Sequence, residues 1–164
     1  MITLNRVDDR LIHGQCIVRV LVDFKIEKIV IVDDFTASNP VLKNIFNLAT
    51  PPQAKSVIYS IEETRANLPP FIENNENVLL LMRSPTVALK LFEIHPQLKK
   101  ELNIGPISYR PDTVKVTPYT YLSGEEIDAI NKIEERRIRI YFNQTIDQKV
   151  IEWNEVKDLC KVSR

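Results

Sequence analysis

Cysteine is scarce in this chain. Cys16 and Cys160 are the two among 164 residues, too few for a disulfide scaffold. Two reduced thiols in a cytosolic protein is the simple expectation, and a pairing across the fold is its alternative. Charge of one sign is missing as well: 22 basic residues stand against 22 acidic ones. No global field draws the chain to nucleic acid or an anionic membrane, so a charged partner must meet a local patch. No apolar run approaches the ~20 residues that span a bilayer, and the start has neither the cationic nor the long apolar region of a secretory signal. There is no repeat, no low-complexity tract and no linker long enough to divide the chain. What is left is 44% hydrophobic and 27% charged, enough for one domain over residues 1–164 with a proper core.

The recurring unit is a short β-branched run followed by a helical pattern, which predicts an α/β fold with a mainly parallel sheet. Strands are expected at 2–7 ("ITLNRV"), 28–34 ("KIVIVDD"), 56–60, 78–83 ("VLLLMR"), 102–105, 114–118 and 138–142. The runs at 28–34 and 78–83 are apolar almost throughout, as strands buried on both faces must be. Helices are expected from about Gln15 to Phe24, from Asn39-Pro40, from Ser84-Pro85 to Phe92, over 124–136 and over 147–156. The second and third begin with a capping side chain followed by proline, whose missing N–H costs nothing there. Ser123 and Glu126 form a capping box for the fourth. A weak helix from Ile61 runs into "NLPPFIENNENV", the segment expected to be most mobile.

Histidine is rarer than any of the charged residues, with two in the chain, and one sits in "RVDDRLIHGQ", Arg6 to Gln15. In an open parallel sheet, binding and reactive groups collect at the carboxyl ends of the strands. Asp8 to Gly14 occupies that place after the first strand. Ahead of it a helix begins, and its free N–H groups and dipole favour an anion. Gly14 lets the backbone come close to whatever His13 carries. Arg10 adds a forked cation suited to phosphate oxygens. A neutral imidazole nitrogen can attack phosphorus near pH 7, so the set makes a phosphoryl acceptor. The plainer alternative is a polar residue bonding a turn. Asp8 and Asp9 are read either as caps and ion-pair partners or, for one of them, as the group that orients the imidazole; Arg6 pairs with either carboxylate. His95, in "EIHPQ", is expected to be a solvated helix-end residue. Neither it nor the cysteines have the spacing of metal ligands.

The stretch "RVDDRLIHGQ" resembles the signature of the IIB component of the mannose–fructose–sorbose family of the bacterial phosphoenolpyruvate-dependent sugar phosphotransferase system. The likeness continues through "IVIVDDFTASNPVLKNIFNLATPP" and, more faintly, through "LNIG" and the "VSR" tail, so it spans most of the chain. The resemblance implies a single-domain doubly wound sheet, mainly parallel, with one antiparallel edge strand and helices on both faces. It implies a cytoplasmic phosphocarrier, transiently at the inner face of the membrane. Such a carrier is a protein-phosphohistidine–sugar phosphotransferase: it takes a phosphoryl group from a IIA component and passes it to a hexose or amino sugar carried by the membrane components IIC and IID. By the motif match His13 is the phosphorylated residue, through Nδ1. Arg10 and the backbone near Gly14 and Gln15 hold the phosphoryl oxygens. No nucleotide, metal or organic cofactor is implied, because the phosphoryl group is the cargo. The sugar and the oligomeric state are left open.

The chain departs from the family pattern at three places. Gly105-Pro106-Ile107 replaces glycine-glycine-methionine, Cys16 replaces an aliphatic residue, and "FNQTID" lacks a proline after the last strand. The proline fixes φ and removes an N–H donor, which gives the flanking loop its own shape. A histidine phosphatase or mutase and a receiver-like signalling module are the alternatives. A histidine phosphatase or mutase has arginine directly before its histidine, whereas Leu11 and Ile12 intervene here. A receiver-like signalling module needs an aspartate closing its third strand, and "SVIYS" has none. Both partners of a carrier must reach one imidazole. The expected docking face therefore surrounds His13 and takes in Asp33 to Asn39, Ser84, Pro85 and Gly105 to Arg110. It is expected to be small and largely polar.

Overall fold

The computed structural model describes residues 1–162; Ser163 and Arg164, part of the tail likeness, lie outside the described residues. The chain runs β1 (Ile2–Val7), α1 (Gly14–Asp23), β2 (Lys28–Val32), α2 (Asp34–Ala37), α3 (Pro40–Ala49) and β3 (Lys55–Tyr59). It continues through α4 (Thr64–Asn67), α5 (Pro69–Glu73), β4 (Val78–Met82), α6 (Pro85–Ile94), β5 (Glu101–Ile104), β6 (Thr113–Thr117) and β7 (Thr120–Ser123). It closes with α7 (Gly124–Glu135), β8 (Arg139–Phe142), β9 (Ile151–Glu152) and α8 (Trp153–Val162).

Seven strands form one sheet in the order β3-β2-β4-β1-β5-β8-β9. All neighbours are parallel except β9, which pairs antiparallel with β8 as the edge strand. Alternation along the central strands sorts side chains to two cores. Ile29, Ile31, Leu79 and Leu81 face α1, whose Ile17, Val20 and Leu21 are buried there. Val30, Val32, Leu80 and Met82 face the other side with Ala88 and Leu91 of α6 and Ile127, Ile130 and Ile133 of α7. Side chains pack on both faces, which is why β2 and β4 read as unbroken apolar runs.

Several expectations shift. The strand expected at 114–118 is β6, but it pairs with β7 in a separate antiparallel hairpin outside the main sheet. The strand expected at 28–34 stops at Val32. Asp33 caps α2 instead, accepting hydrogen bonds from Thr36 N (3.1 Å) and Thr36 Oγ1 (2.5 Å). The helix expected over 147–156 begins only at Trp153, because Ile151 and Glu152 pair with Phe142 and Tyr141 as β9. The stretch 67–78 carries α5 and is tied to the chain start, where the Met1 ammonium donates to the carbonyls of Asn74 (2.5 Å) and Glu76 (2.6 Å). His95 is not solvated. It is buried, its Nε2 lies 3.2 Å from Thr64 Oγ1, and burial pushes its pKa down. Cys16 and Cys160 form no disulfide, so the cross-fold pairing does not occur. No helix among the described residues is long and apolar enough to cross a membrane.

Because the strands run parallel, the loops after β1, β2, β4 and β5 emerge at one edge of the sheet. β1 sits between β4 and β5, so its loop is central to that edge.

Candidate functional site

The loop after β1 is fixed from both sides. Asp8 N donates to Met82 O on the β4 side (3.0 Å), and Asp9 N to Pro106 O on the β5 side (3.2 Å). Leu11 N then turns back to Asp8 O (3.0 Å) with φ at +56°. Leu11 and Ile12 are 2% and 7% exposed and pack in the core under α1. Two apolar side chains thus pull the loop down and leave His13, Gly14 and Gln15 exposed at its crest. In the sequence they only separate Arg10 from His13; in the fold they are the anchor that presents the histidine.

His13 occupies the N-cap position of α1 in extended geometry, but its side chain caps nothing. Gly14 opens the helix at φ +54°, a conformation that favours glycine, and the space its Cβ would fill is empty. The first turn of α1 carries no acidic residue. Exposed helix N–H groups beside an imidazole suit an arriving anion.

Among the described residues no hydrogen bond joins either aspartate to that imidazole; Asp8 and Asp9 Oδ2 serve the loop, and Asp9 Oδ1 is buried without a hydrogen-bond partner. Asp8 is buried. Its Oδ1 accepts from Arg10 N (3.1 Å) and lies 3.7 Å from Arg10 Nε, while Oδ2 lies 3.9 Å from Arg6 Nη2. Burial pushes its pKa up, against the opposing pull of the Arg10 N–H and the two guanidinium groups. Asp9 Oδ2 accepts from Ser108 N (2.7 Å) and ties the loop to the segment after β5. Of the two alternatives for Arg6, Asp8 is the carboxylate it approaches. Arg6 is otherwise held by Asn103 Oδ1 and by Gln144 O (2.6 Å), and burial lowers its pKa.

Arg6 also explains a glycine. A Cβ on Gly105 would lie 2.5 Å from Arg6 Nη2 and 3.0 Å from Val7 O, so the guanidinium passes where any other residue would stand. Gly105→Ala should cost about 1–3 kcal/mol, the range for overpacking, read as a lower urea midpoint. A midpoint equal to wild type would show that Arg6 can be displaced freely. No signal within either local segment joins these two positions.

The Arg10 side chain is 37% exposed at the loop edge. Around it the strand-end loops differ from expectation in character. Phe35, in α2, is 70% exposed and Tyr109, after β5, 68%. They stand on opposite sides of the β1 loop, so this face is aromatic as well as polar. From Phe35 the apolar surface continues along α3, where Val41, Ile45 and Leu48 are exposed. Ser84 Oγ accepts from Val87 N (3.4 Å) as a helix cap, while Pro85 is buried and is removed from the docking face. Arg110 is half exposed and forked onto Glu126 (3.0 and 2.8 Å). Sequence reading also missed Arg83, which reaches Asp9 and Asp33 from the end of β4. Among the described residues no group of His, Cys, Asp or Glu could hold a metal ion.

Residues 2–163 match the family described as PTS system sorbose subfamily IIB component. The mannose-specific EIIAB component of Escherichia coli K12 is 28% identical over 142 residues, which cover 85% of this chain and 43% of that protein. The chain therefore spans under half the length of that relative. The sorbose-specific EIIB component of Klebsiella pneumoniae is 28% identical over 139 residues, covering 85% of this chain and 84% of that one. The crystal structure of the IIBSor domain of the Klebsiella sorbose permease superposes with a TM-score of 0.85 at 24% identity, over 100% of this chain and 98% of the other. That last likeness concerns the fold.

Proposed function

The chain belongs to the sorbose subfamily of IIB components of the sugar phosphotransferase system, and from that membership we propose that it carries a phosphoryl group on His13 from a IIA donor to a sugar held by the membrane components IIC and IID. The observation that supports this most is the presentation of His13. It is exposed at an open helix N-terminus, with no acid in the first turn and Arg10 three residues before it.

Loading breaks the N–P bond of the donor phosphohistidine and forms one from phosphorus to His13 Nδ1, the donor ring leaving as neutral imidazole. Arg10 and the N–H groups of Gly14 and Gln15 hold the three phosphoryl oxygens, whose charge is the main thing such a site must balance. Unloading is the reverse in kind: a sugar hydroxyl oxygen attacks phosphorus, its proton passes to solvent, and His13 returns as neutral imidazole. Asp8 acts on this site indirectly, by holding Arg10 at the loop edge. Asp9 fixes the loop to Ser108. Selection of a hexose or an amino sugar is assigned to the membrane components.

Incubation with phosphoenolpyruvate carrying labelled phosphorus, the general carriers and a cognate IIA should place an acid-labile label on the peptide containing His13. Membranes containing IIC, IID and sugar should then discharge it. A label that appears only on another residue, or that never leaves in their presence, overturns the proposal.

Donor and acceptor must bring their reacting atoms nearly in line across one phosphorus, so both dock on the face around His13 and cannot bind together. Phe35 and Tyr109 are the aromatic anchors of that face. Phe35→Ser and Tyr109→Ser should each weaken IIA binding about 30-fold, the effect of one interface hot spot of about 2 kcal/mol. An NMR titration measures it. Unchanged affinities, with shifts centred on α8, would place docking elsewhere.

A further inference from the structure

Arg83 follows the last residue of β4, the strand that lies between β2 and β1. Its guanidinium reaches to both sides. Nη1 donates to the carbonyl oxygen of Asp9 (2.7 Å), while Nε and Nη2 lie 3.4 and 3.5 Å from the two oxygens of Asp33. Asp33 is nearly buried, and the Thr36 amide and hydroxyl fix its Oδ2. The carboxylate is thus a rigid post, and the guanidinium hangs on it with one arm extended to the β1 loop. On the opposite flank Asp9 is held by Pro106 O and Ser108 N. The Asp9 peptide is therefore clamped between the two sides of the sheet edge, one residue before Arg10. A charge-assisted bond to a carbonyl outside the ladder is stronger than a neutral one, and a lysine cannot hold Asp33 and Asp9 at once.

We propose that Arg83 is a positioning residue for phosphoryl transfer, setting the height and direction of the Arg10–His13 segment through the Asp9 carbonyl. The inference rests on the reading of His13 as acceptor. Arg83 acts on the placement of the acceptor and not on the docking of the donor. Its removal should therefore lower kcat for loading from IIA and leave KM for IIA nearly unchanged. A displacement of the reacting nitrogen by a fraction of an ångström is worth about tenfold in rate.

The test uses Arg83→Ala and Arg83→Lys in the full chain. Loading rates are measured with phospho-IIA and, independently of docking, with phosphoramidate as a small donor. Amide exchange of Asp9 to Leu11 reports the loop itself. Expected are an about tenfold loss of kcat with both donors for Arg83→Ala, KM for IIA within about twofold, and faster exchange confined to the β1 loop. Arg83→Lys keeps a cation beside Asp33, so it should fold normally and still lose most of the rate; it is the deciding variant if Arg83→Ala does not fold. Wild-type rates in both variants, or a raised KM with kcat kept, would overturn the proposal. If the wild-type chain takes no phosphoryl group on His13, the acceptor reading fails. The exchange data then judge the Arg83 clamp alone: unchanged exchange overturns it, and faster exchange at Asp9 to Leu11 sustains it.

Discussion

His13→Ala is expected to abolish phosphorylation of the chain and all transfer to sugar, with no measurable residual rate. The bond that carries the phosphoryl group would have no nitrogen to form on. The other histidine offers no detour, since His95 is buried against Thr64 far along the chain. The fold should not notice the change. His13 is exposed and its side chain caps nothing, and substitutions of that kind stay within about 0.5 kcal/mol. Loss of function at unchanged thermal stability separates a chemical role from a structural one. Acid-labile phosphate remaining on His13→Ala would mean that another residue is the acceptor.

Arg10→Ala should slow transfer about 100-fold while costing little stability. The rate estimate follows the scale for losing one preorganised donor to a charged transition state. The stability estimate follows from Asp8. That buried carboxylate keeps the residue-10 backbone N–H and the neighbouring Arg6 when the Arg10 side chain is gone, so no charge is left wholly unmatched. Arg10→Lys preserves the cation and loses the fork, and its rate should fall between the two. Parallel measurements of loading rate and urea midpoint decide the matter. Unfolding of Arg10→Ala would make Arg10 a prop for Asp8, and an unchanged rate would remove it from the phosphoryl site.

What could be read from the sequence was local. Asn39, Ser84 and Ser123 announce their helices because a cap bonds within three residues, and each does so here. The unbroken apolar runs of β2 and β4 announce burial on both faces. The edge strands gave less: β9 is two residues long and disappears into a helical pattern, and β7 is masked by the capping box that follows it. His13, Gly14 and Arg10 were legible because one segment carries them all. Arg83 was not, since its partners lie 74 and 50 residues away and no local pattern marks an arginine after a buried strand. The pairing of Arg6 with Gly105 was hidden for the same reason. Leu11 and Ile12 were hidden differently: they look like ordinary apolar residues until the loop is seen to turn its crest outward. The burial of His95 is not legible because "EIHPQ" looks like a solvated helix end, while Thr64, its partner, belongs to a short helix in another part of the chain.

The central claim is that phosphorus resides on one nitrogen of one side chain. The chain labelled with 15N in histidine and phosphorylated through IIA gives a direct measurement by 15N and 31P NMR. The account predicts a single phosphorus resonance coupled to Nδ1 of His13, with the ring nitrogens of His95 unmoved. Phosphorus coupled to any nitrogen of His95, or a stable phosphate coupled to no imidazole at all, would contradict it.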